Sequence, residues 1–245
     1  MYSGRSRRAL YPRLRCLTGV HGGPDDGQDM APAARQFPGK HLVTVELVFT
    51  ERRSELTKPR AENFERLHER LAAASGQAVE VSHYEAVDPQ RLARASSIVL
   101  SGSTTPWSVR DPGELDKLGE AVHAASRPLL GICAGMQLQA RFAGGAIGPS
   151  RTPERGFLPI QVHDGSDLLQ ELPAEVVVFQ DHTYEIVNLP TEFRVLASSA
   201  ECAVQAIAAP ARRWWGTQFH PEEFRPQHPA GEQVLRSFFA LATSG

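Results

Sequence analysis

The sequence predicts a three-layer α/β fold, with a mostly parallel central sheet flanked by helices and a small antiparallel extension. Two observations support this class. From Lys40 onward, short apolar runs alternate with amphipathic helical stretches, which is typical of a parallel sheet covered on both faces. After Gly144 and Gly145 the pattern changes to short apolar runs separated by turn residues, which indicates antiparallel strands.

The first half of the folded region contains four predicted strands and three predicted helices. The first predicted helix carries Phe64, Leu67 and Leu71 on one face, at the spacing of an amphipathic helix. The predicted strands are His41–Phe49, Val79–Tyr84, Ser97–Ser101 and the apolar run that starts at Pro128. The predicted helices are Arg60–Ser75, a short helix opened by Asp88 and Pro89, and Pro112–Ala125.

The second half contains a helix after the fourth strand, a series of short strands and a final helix. The predicted helices are Ala134–Phe142 and Ala230–Ala242, the latter with Val234, Leu235, Phe238 and Leu241 facing the sheet. The predicted short strands are Phe157–His163, Val176–Gln180, Phe193–Ser198 and Cys202–Ile207.

Composition limits the class of protein. With 245 residues, 41% hydrophobic and 22% charged, the chain suits one globular domain with a sizeable core. A net charge of -2 offers no basic surface for nucleic acid. Cys16, Cys133 and Cys202 form neither a metal-ligand spacing nor an even disulfide set, and no apolar run approaches a membrane span. We therefore expect a cytoplasmic protein without metal, nucleic-acid partner or membrane contact.

Residues 1–39 differ in composition from the rest of the chain. Arginines at positions 5, 7, 8, 13 and 15 precede a stretch that contains Gly, Pro and Asp, and no apolar run there has the length of a secretory signal. We predict a disordered or weakly ordered extension over 1–39 and one folded domain over 40–245. An organelle-targeting segment is the alternative, and Met30 offers an alternative start.

The apolar run after Pro128 ends abruptly at Cys133, with Gly131 and Gly135 two residues away on either side. This pattern predicts a buried strand that turns sharply into a helix, with an unusual backbone angle at Cys133 and with small neighbours that avoid a clash. The positive end of the helix dipole then favours the thiolate. Cys133 is therefore a candidate nucleophile, although most free cysteines are simply small buried hydrophobes.

His220 and Glu222 supply the groups that such a nucleophile needs. Pro221 favours an extended conformation at His220, so both side chains project to the same side and the carboxylate can orient the imidazole. A cysteine, a base and an orienting acid together make an acyl-transfer triad. Alone, His220 would be interpreted as an ordinary surface histidine at a strand end.

These motifs resemble the class I, triad-type glutamine amidotransferase domain over roughly Leu42 to Ala242. The resemblance rests on residues 131–137 for the nucleophile turn and 216–222 for the base and acid. Leu100-Ser101-Gly102-Ser103 resembles the oxyanion strand of the family, and Gln180-Asp181-His182 its histidine-bearing loop on the substrate side. Met136 and Ser103 stand at variable positions, since other members have histidine and glycine there.

The resemblance implies an activity and a set of residue roles. Cys133 would attack the side-chain amide of glutamine to form a thioester, while His220 and Glu222 move protons without any cofactor. The backbone N–H groups of Ser103 and Ala134 would bind the oxyanion, and the remaining predicted substrate-side residues are Gly102, Gln137 and His182. The ammonia would pass to a separate ATP-dependent synthetase, with the loop Thr104–Arg110 and the indole of Trp107 as a contact for that partner.

Three other functions fit the same residues. A hydrolase of the same fold could act on γ-glutamyl amides or peptides, and it would prefer such conjugates to free glutamine. A non-catalytic binding module could keep the fold, but it would not need the intact set of Cys133, His220 and Glu222. An acyltransferase or protease could use Cys-His chemistry on another acyl group, and it would release no ammonia from glutamine.

Overall fold

The computed structural model describes residues 43–244. The predicted extension over 1–39 lies outside this range. Nine strands form one sheet in the order β2-β1-β3-β4-β9-β8-β7-β5-β6. Pairing is parallel from β2 through β9 and antiparallel from β9 through β6. The strands are β1 Thr44–Phe49, β2 Ala78–His83, β3 Ser97–Leu100, β4 Leu129–Ile132, β5 Ala146–Val162, β6 Glu175–Asn188, β7 Arg194–Ser198, β8 Ala206–Ala209 and β9 Trp214–Thr217.

Helices cover both faces of the sheet, each over its own apolar core. One core contains residues of α1 and α5, such as Leu71 and Phe238, and the other contains residues of α2, α3 and α4, such as Leu118 and Leu138. The helices are α1 Lys58–Ser75, α2 Pro89–Arg94, α3 Pro112–Ala125, α4 Ala134–Phe142 and α5 Ala230–Thr243. Among residues 43–244, no helix combines the length and apolarity that crossing a membrane would require. The predicted α/β class with three layers is confirmed.

The antiparallel part is larger than predicted. It contains four strands, and β5 and β6 have 17 and 14 residues respectively. The prediction of β5 began only at Phe157 because Pro149 and Pro153 interrupt the apolar pattern, and the pairing with β6 shifts register between Pro149 and Glu154. The predicted end of β6 at Gln180 was also wrong, since the strand continues to Asn188.

The predicted strand Cys202–Ile207 was wrong at its start. A turn precedes the strand, in which the Ser199 N–H donates to the Cys202 carbonyl at 2.8 Å and the Cys202 N–H donates to the Ser199 hydroxyl at 3.0 Å. β8 begins only at Ala206 and runs to Ala209. A hydroxyl that closes a turn on its own backbone competes with strand pairing, which explains the shift.

Candidate active site

The site lies where three neighbouring parallel strands end. Gly102 follows β3, Cys133 follows β4, and His220 follows β9. Because parallel strands end at the same edge of a sheet, residues that are far apart in sequence meet there. The two motifs that the sequence analysis combined are therefore on adjacent strands, since β4 pairs with β9 from Leu129 with Trp214 to Ile132 with Thr217.

Cys133 occupies the sharp turn that the sequence predicted. Its φ is 51° and its ψ is -109°, and its N–H donates to the Thr217 carbonyl at 2.7 Å. A Cβ at Gly131 would lie 2.6 Å from the backbone of Gly135, and a Cβ at Gly135 would lie 2.3 Å from the Leu100 carbonyl oxygen. Both glycines are therefore required by the close approach of strand and helix, as the spacing indicated.

His220 and Glu222 are buried and joined by a hydrogen bond of 2.8 Å between Nδ1 and Oε1. Burial by itself lowers the pKa of His220, but the charges of Glu222 and Cys133 outweigh this effect, so the pKa lies well above its usual value. The protonated imidazole is thus favoured beside the sulfur. An imidazolium next to a cysteine stabilises the thiolate form of that cysteine.

Gly102 lies beside both members of this pair. A Cβ built on Gly102 would be 2.7 Å from His220 Cε1 and 3.5 Å from Cys133 Cβ. The predicted strand end therefore lies within contact distance of the base and the nucleophile. Any side chain at position 102 would have to displace the imidazole.

A cavity of about 220 Å³ opens beside the sulfur. Its walls include four of the predicted residues besides Cys133, namely Ser103, Ala134, Gln137 and His182. A larger groove of about 650 Å³ runs between β6 and α5, but Cys133 and His220 are not among the residues that line it. We place the candidate site in the smaller cavity, because the reactive groups are there.

Ser103 presents its backbone to this cavity while its side chain is held elsewhere. The Ser103 hydroxyl accepts a hydrogen bond from Arg110 Nη2 at 2.6 Å and one from the Thr105 N–H at 3.0 Å. Within residues 43–244, no hydrogen-bond partner is found for the N–H of Ser103 or of Ala134. Two N–H groups without partners beside a nucleophile are what an oxyanion site requires.

His182 lies in strand β6, so the predicted substrate-side loop at this residue was wrong. The β5–β6 hairpin carries it, and it is buried with its Nε2 3.1 Å from Glu154 Oε2. Burial lowers the pKa of His182. His182 therefore borders the cavity as a neutral side chain held from behind by a carboxylate.

The same two residues and Cys202 form a group whose possible metal-ligand atoms lie within 4.8 Å of one another. However, Glu154 Oε2 already accepts hydrogen bonds from His182 and from Gln205 Nε2, the latter at 2.8 Å. Burial raises the pKa of Cys202 to about 12, which keeps the thiol protonated. The group is a hydrogen-bonded network, and its donor set does not fit a metal ion, which binds a thiolate.

Two charged residues that the sequence analysis missed hold the loop after Gly102. Arg110 Nη1 donates to the Thr50 carbonyl at 2.7 Å, and its guanidinium lies 4.6 Å from the Trp107 ring centroid. Buried Glu51 accepts from the Thr104 N–H at 2.9 Å and from the Thr105 hydroxyl at 2.8 Å. Their only sequence signal was position, since Glu51 follows β1 and Arg110 ends the predicted loop.

Trp107 packs on its own domain. Its indole Nε1 donates to Gln137 Oε1 at 3.2 Å, and its ring contacts the core that contains α2, α3 and α4. The residue is partly exposed, so one edge remains accessible from outside. A further residue that the sequence analysis missed, Gln218, lies on the other side of Gln137 and 3.6 Å from the sulfur.

Comparison with known proteins agrees with this geometry. The family model of class-I glutamine amidotransferases matches residues 61–242. One subunit of a glutamine-hydrolyzing GMP synthase from Thermoplasma acidophilum is 34% identical over 158 residues, which cover 64% of this chain and 78% of the relative. A GMP synthase from Syntrophomonas wolfei is 39% identical over 145 residues, and the match spans 59% of this chain but only 28% of that longer protein.

Solved structures show the same fold. A crystal structure from Thermoplasma acidophilum, described as that of a provisional GMP synthase subunit, gives a TM-score of 0.71 at 27% identity and covers 83% of this chain and 96% of that one. A glutamine amidotransferase from Thermotoga maritima gives 0.61 at 18% identity, with 83% and 100% covered, and shows the fold alone. The family predicted from the two motifs is confirmed, and this chain belongs to the class-I glutamine amidotransferases.

Proposed function

We propose that this chain hydrolyses the side-chain amide of glutamine and supplies the ammonia to a separate ATP-dependent synthetase. The observation that carries the proposal is the hydrogen-bonded pair of His220 and Glu222 at the end of β9, next to Cys133 on its strained turn. Relatives named as subunits of glutamine-hydrolyzing GMP synthases support the substrate and suggest that the partner is a synthetase of the GMP synthase type.

In the first half-reaction the Cys133 thiolate attacks the amide carbon, and a carbon–sulfur bond forms. The N–H groups of Ser103 and Ala134 stabilise the oxyanion, and each such donor typically contributes about 10²–10³-fold to the rate. His220 then gives its proton to the departing nitrogen as the carbon–nitrogen bond breaks. Ammonia leaves, and a glutamyl thioester remains on Cys133.

In the second half-reaction a water molecule replaces the ammonia. His220, now neutral and oriented by Glu222, removes a proton from the water as its oxygen attacks the thioester carbon. The carbon–sulfur bond breaks, glutamate leaves, and the thiolate beside the imidazolium is restored. Every proton is therefore moved by one imidazole, which requires no metal or cofactor.

The remaining predicted residues are given supporting roles. Gly102 makes room for the imidazole, and His182 and Gln137 form part of the wall that the substrate would meet. The loop after Gly102 carries one of the two oxyanion donors, so movement of this loop would change turnover. A synthetase that contacts the exposed edge of Trp107 would act on this loop, which links activity to the presence of the partner.

The test is a steady-state assay of the isolated chain on free glutamine and on γ-glutamyl conjugates, with and without an added synthetase of the GMP synthase type. We expect ammonia release from glutamine that is weak alone and rises at least 10-fold with the partner. A chain that prefers γ-glutamyl conjugates would instead be a free-standing hydrolase. Turnover of about 1–1,000 per second that no partner changes would contradict the coupled function.

A further inference from the structure

A chain of three polar side chains leads from the loop after Gly102 to the nucleophile. Trp107 Nε1 is 3.2 Å from Gln137 Oε1, Gln137 Nε2 is 3.0 Å from Gln218 Oε1, and Gln218 Nε2 is 3.6 Å from Cys133 Sγ. Both glutamines are almost completely buried, with 2% of Gln137 and 0% of Gln218 exposed. Three different elements contribute to it: the loop, helix α4 and the segment after β9.

The direction of each hydrogen bond follows from the two ends of this chain. An indole N–H can only donate, so the oxygen of Gln137 must face Trp107. The backbone carbonyl of Tyr184 can only accept, and it lies 2.8 Å from Gln137 Nε2, which fixes the same orientation independently. Gln137 must then donate to Gln218, and Gln218 must turn its oxygen toward Gln137.

The amide nitrogen of Gln218 is thereby directed at the sulfur. Since this side chain is buried, reversing the amide would place two N–H groups face to face and turn its oxygen toward the sulfur. A buried amide that loses its partners costs on the order of 1–3 kcal/mol, which keeps the arrangement in one orientation. The sulfur at position 133 is the acceptor that completes the chain.

We propose that Gln218 is a further catalytic residue, whose amide N–H donates to the Cys133 thiolate, and that Gln137 and Trp107 are positioning residues that fix its direction. The proposal rests on the nucleophilic role given to Cys133 above. A thiolate accepts such a bond far better than a thiol, so the contact increases the thiolate fraction. It also stabilises the sulfur as the leaving group when water cleaves the thioester.

Other charged groups around the sulfur must be separated from this effect. His220 and the guanidinium of Arg110 interact with Cys133, while Arg155, Asp181 and His182 line the same cavity. None of them is changed by a neutral substitution at position 218. The contribution of Gln218 can therefore be read from neutral variants of that residue alone.

The experiment measures alkylation of Cys133 by iodoacetamide as a function of pH, in the full chain and without glutamine, with the modified residue identified by mass spectrometry. Gln218→Met removes the donor without adding charge, and we expect the midpoint of the pH profile to rise by about one unit. Trp107→Phe removes the outer donor and keeps an aromatic ring, and we expect a smaller rise. Gln180→Met is the matched control, because Gln180 is equally buried but bonds to Gln205 at 3.0 Å and not to the sulfur.

An unchanged midpoint in a folded Gln218→Met protein would overturn the proposal, as would an equal rise in Gln180→Met. If Gln218→Met does not fold, Gln218→Asn keeps an amide that is too short to reach the sulfur, and the same rise is expected. Alkylation needs no substrate, so the result is separate from the test of glutamine hydrolysis. A shifted midpoint in a chain that does not hydrolyse glutamine would leave this inference standing while the proposed function fails.

Discussion

The imidazole of His220 lies directly against the Cα of Gly102, with Cε1 2.7 Å from the position that a Cβ would occupy. The two residues are at the ends of strands that do not pair with each other, since β4 runs between β3 and β9. The absence of a side chain at position 102 is therefore part of the positioning of the base.

Gly102→Ala should reduce turnover about 100-fold or more, because the added methyl group displaces the imidazole by a substantial part of an ångström. Stability should change little, since the displaced group lies at the edge of the cavity. The measurements are kcat on glutamine and the melting temperature. Gly165→Ala is the control, because nothing lies within 4 Å of a Cβ there. Wild-type turnover in Gly102→Ala would show that the imidazole position is not critical.

Cys133→Ala should abolish glutamine hydrolysis and leave the fold intact, because the lost side chain is small and borders a cavity. A glutamine analogue with an alkylating group should label Cys133 in the native protein. Cys202 should react only after unfolding, since burial keeps its thiol protonated, with a pKa of about 12. Native labelling of Cys202, or activity in Cys133→Ala, would mean that the nucleophile is misassigned.

Glu222→Gln should lower turnover less than His220→Ala does, because the acid orients and supports the base while the base moves each proton. The carboxylate also raises the pKa of His220. The alkaline limb of kcat/KM against pH should therefore move to lower pH in Glu222→Gln. An unmoved limb with wild-type turnover would transfer the supporting role to another group, such as Glu223.

The same raised pKa makes a prediction about stability. A histidine whose pKa is higher in the folded state stabilises that state below about pH 6.5, and the contribution is lost as the pH rises through the folded-state value. The difference in unfolding free energy between wild type and Glu222→Gln should thus be larger at pH 6 than at pH 10. Urea unfolding at the two pH values measures it, and a difference that grows with pH would contradict the ion pair.

Arg110→Lys should lower kcat about 10-fold with little change in KM, because an ammonium cannot hold Thr50, Ser103 and the Trp107 ring together. The oxyanion donor at Ser103 then loses its support. Arg127→Lys is the matched control, since Arg127 is exposed and donates to the Ala93 carbonyl, away from the site. A rise in KM with unchanged kcat would instead place Arg110 in substrate binding.

The parts of the site that the sequence revealed are those with a local physical cause. The turn at Cys133 could be predicted because Gly131 and Gly135 stand where strand and helix touch. The pairing of His220 with Glu222 could be predicted because Pro221 restricts the backbone between them. In both cases the constraint and the residue that it affects are within two positions of each other.

The parts that escaped prediction depend on which segments become neighbours. Gln218 reaches Cys133 only because β9 pairs with β4, and Arg110 reaches Thr50 only because its loop folds back on the end of β1. The first half of β5, and with it Glu154 behind His182, was missed because prolines mask the strand pattern. Periodicity along the chain contains no information about such contacts.

The backbone of Cys133 has a further consequence, for protein engineering. At φ 51° and ψ -109° it occupies a region that glycine adopts freely and other residues adopt at a cost of about 1–3 kcal/mol. A glycine at position 133 would relieve that strain, although its greater freedom in the unfolded chain offsets part of the gain. Directed evolution of this chain for thermal resistance alone would therefore favour proteins that have lost their chemistry, so such a screen has to select for turnover at every round.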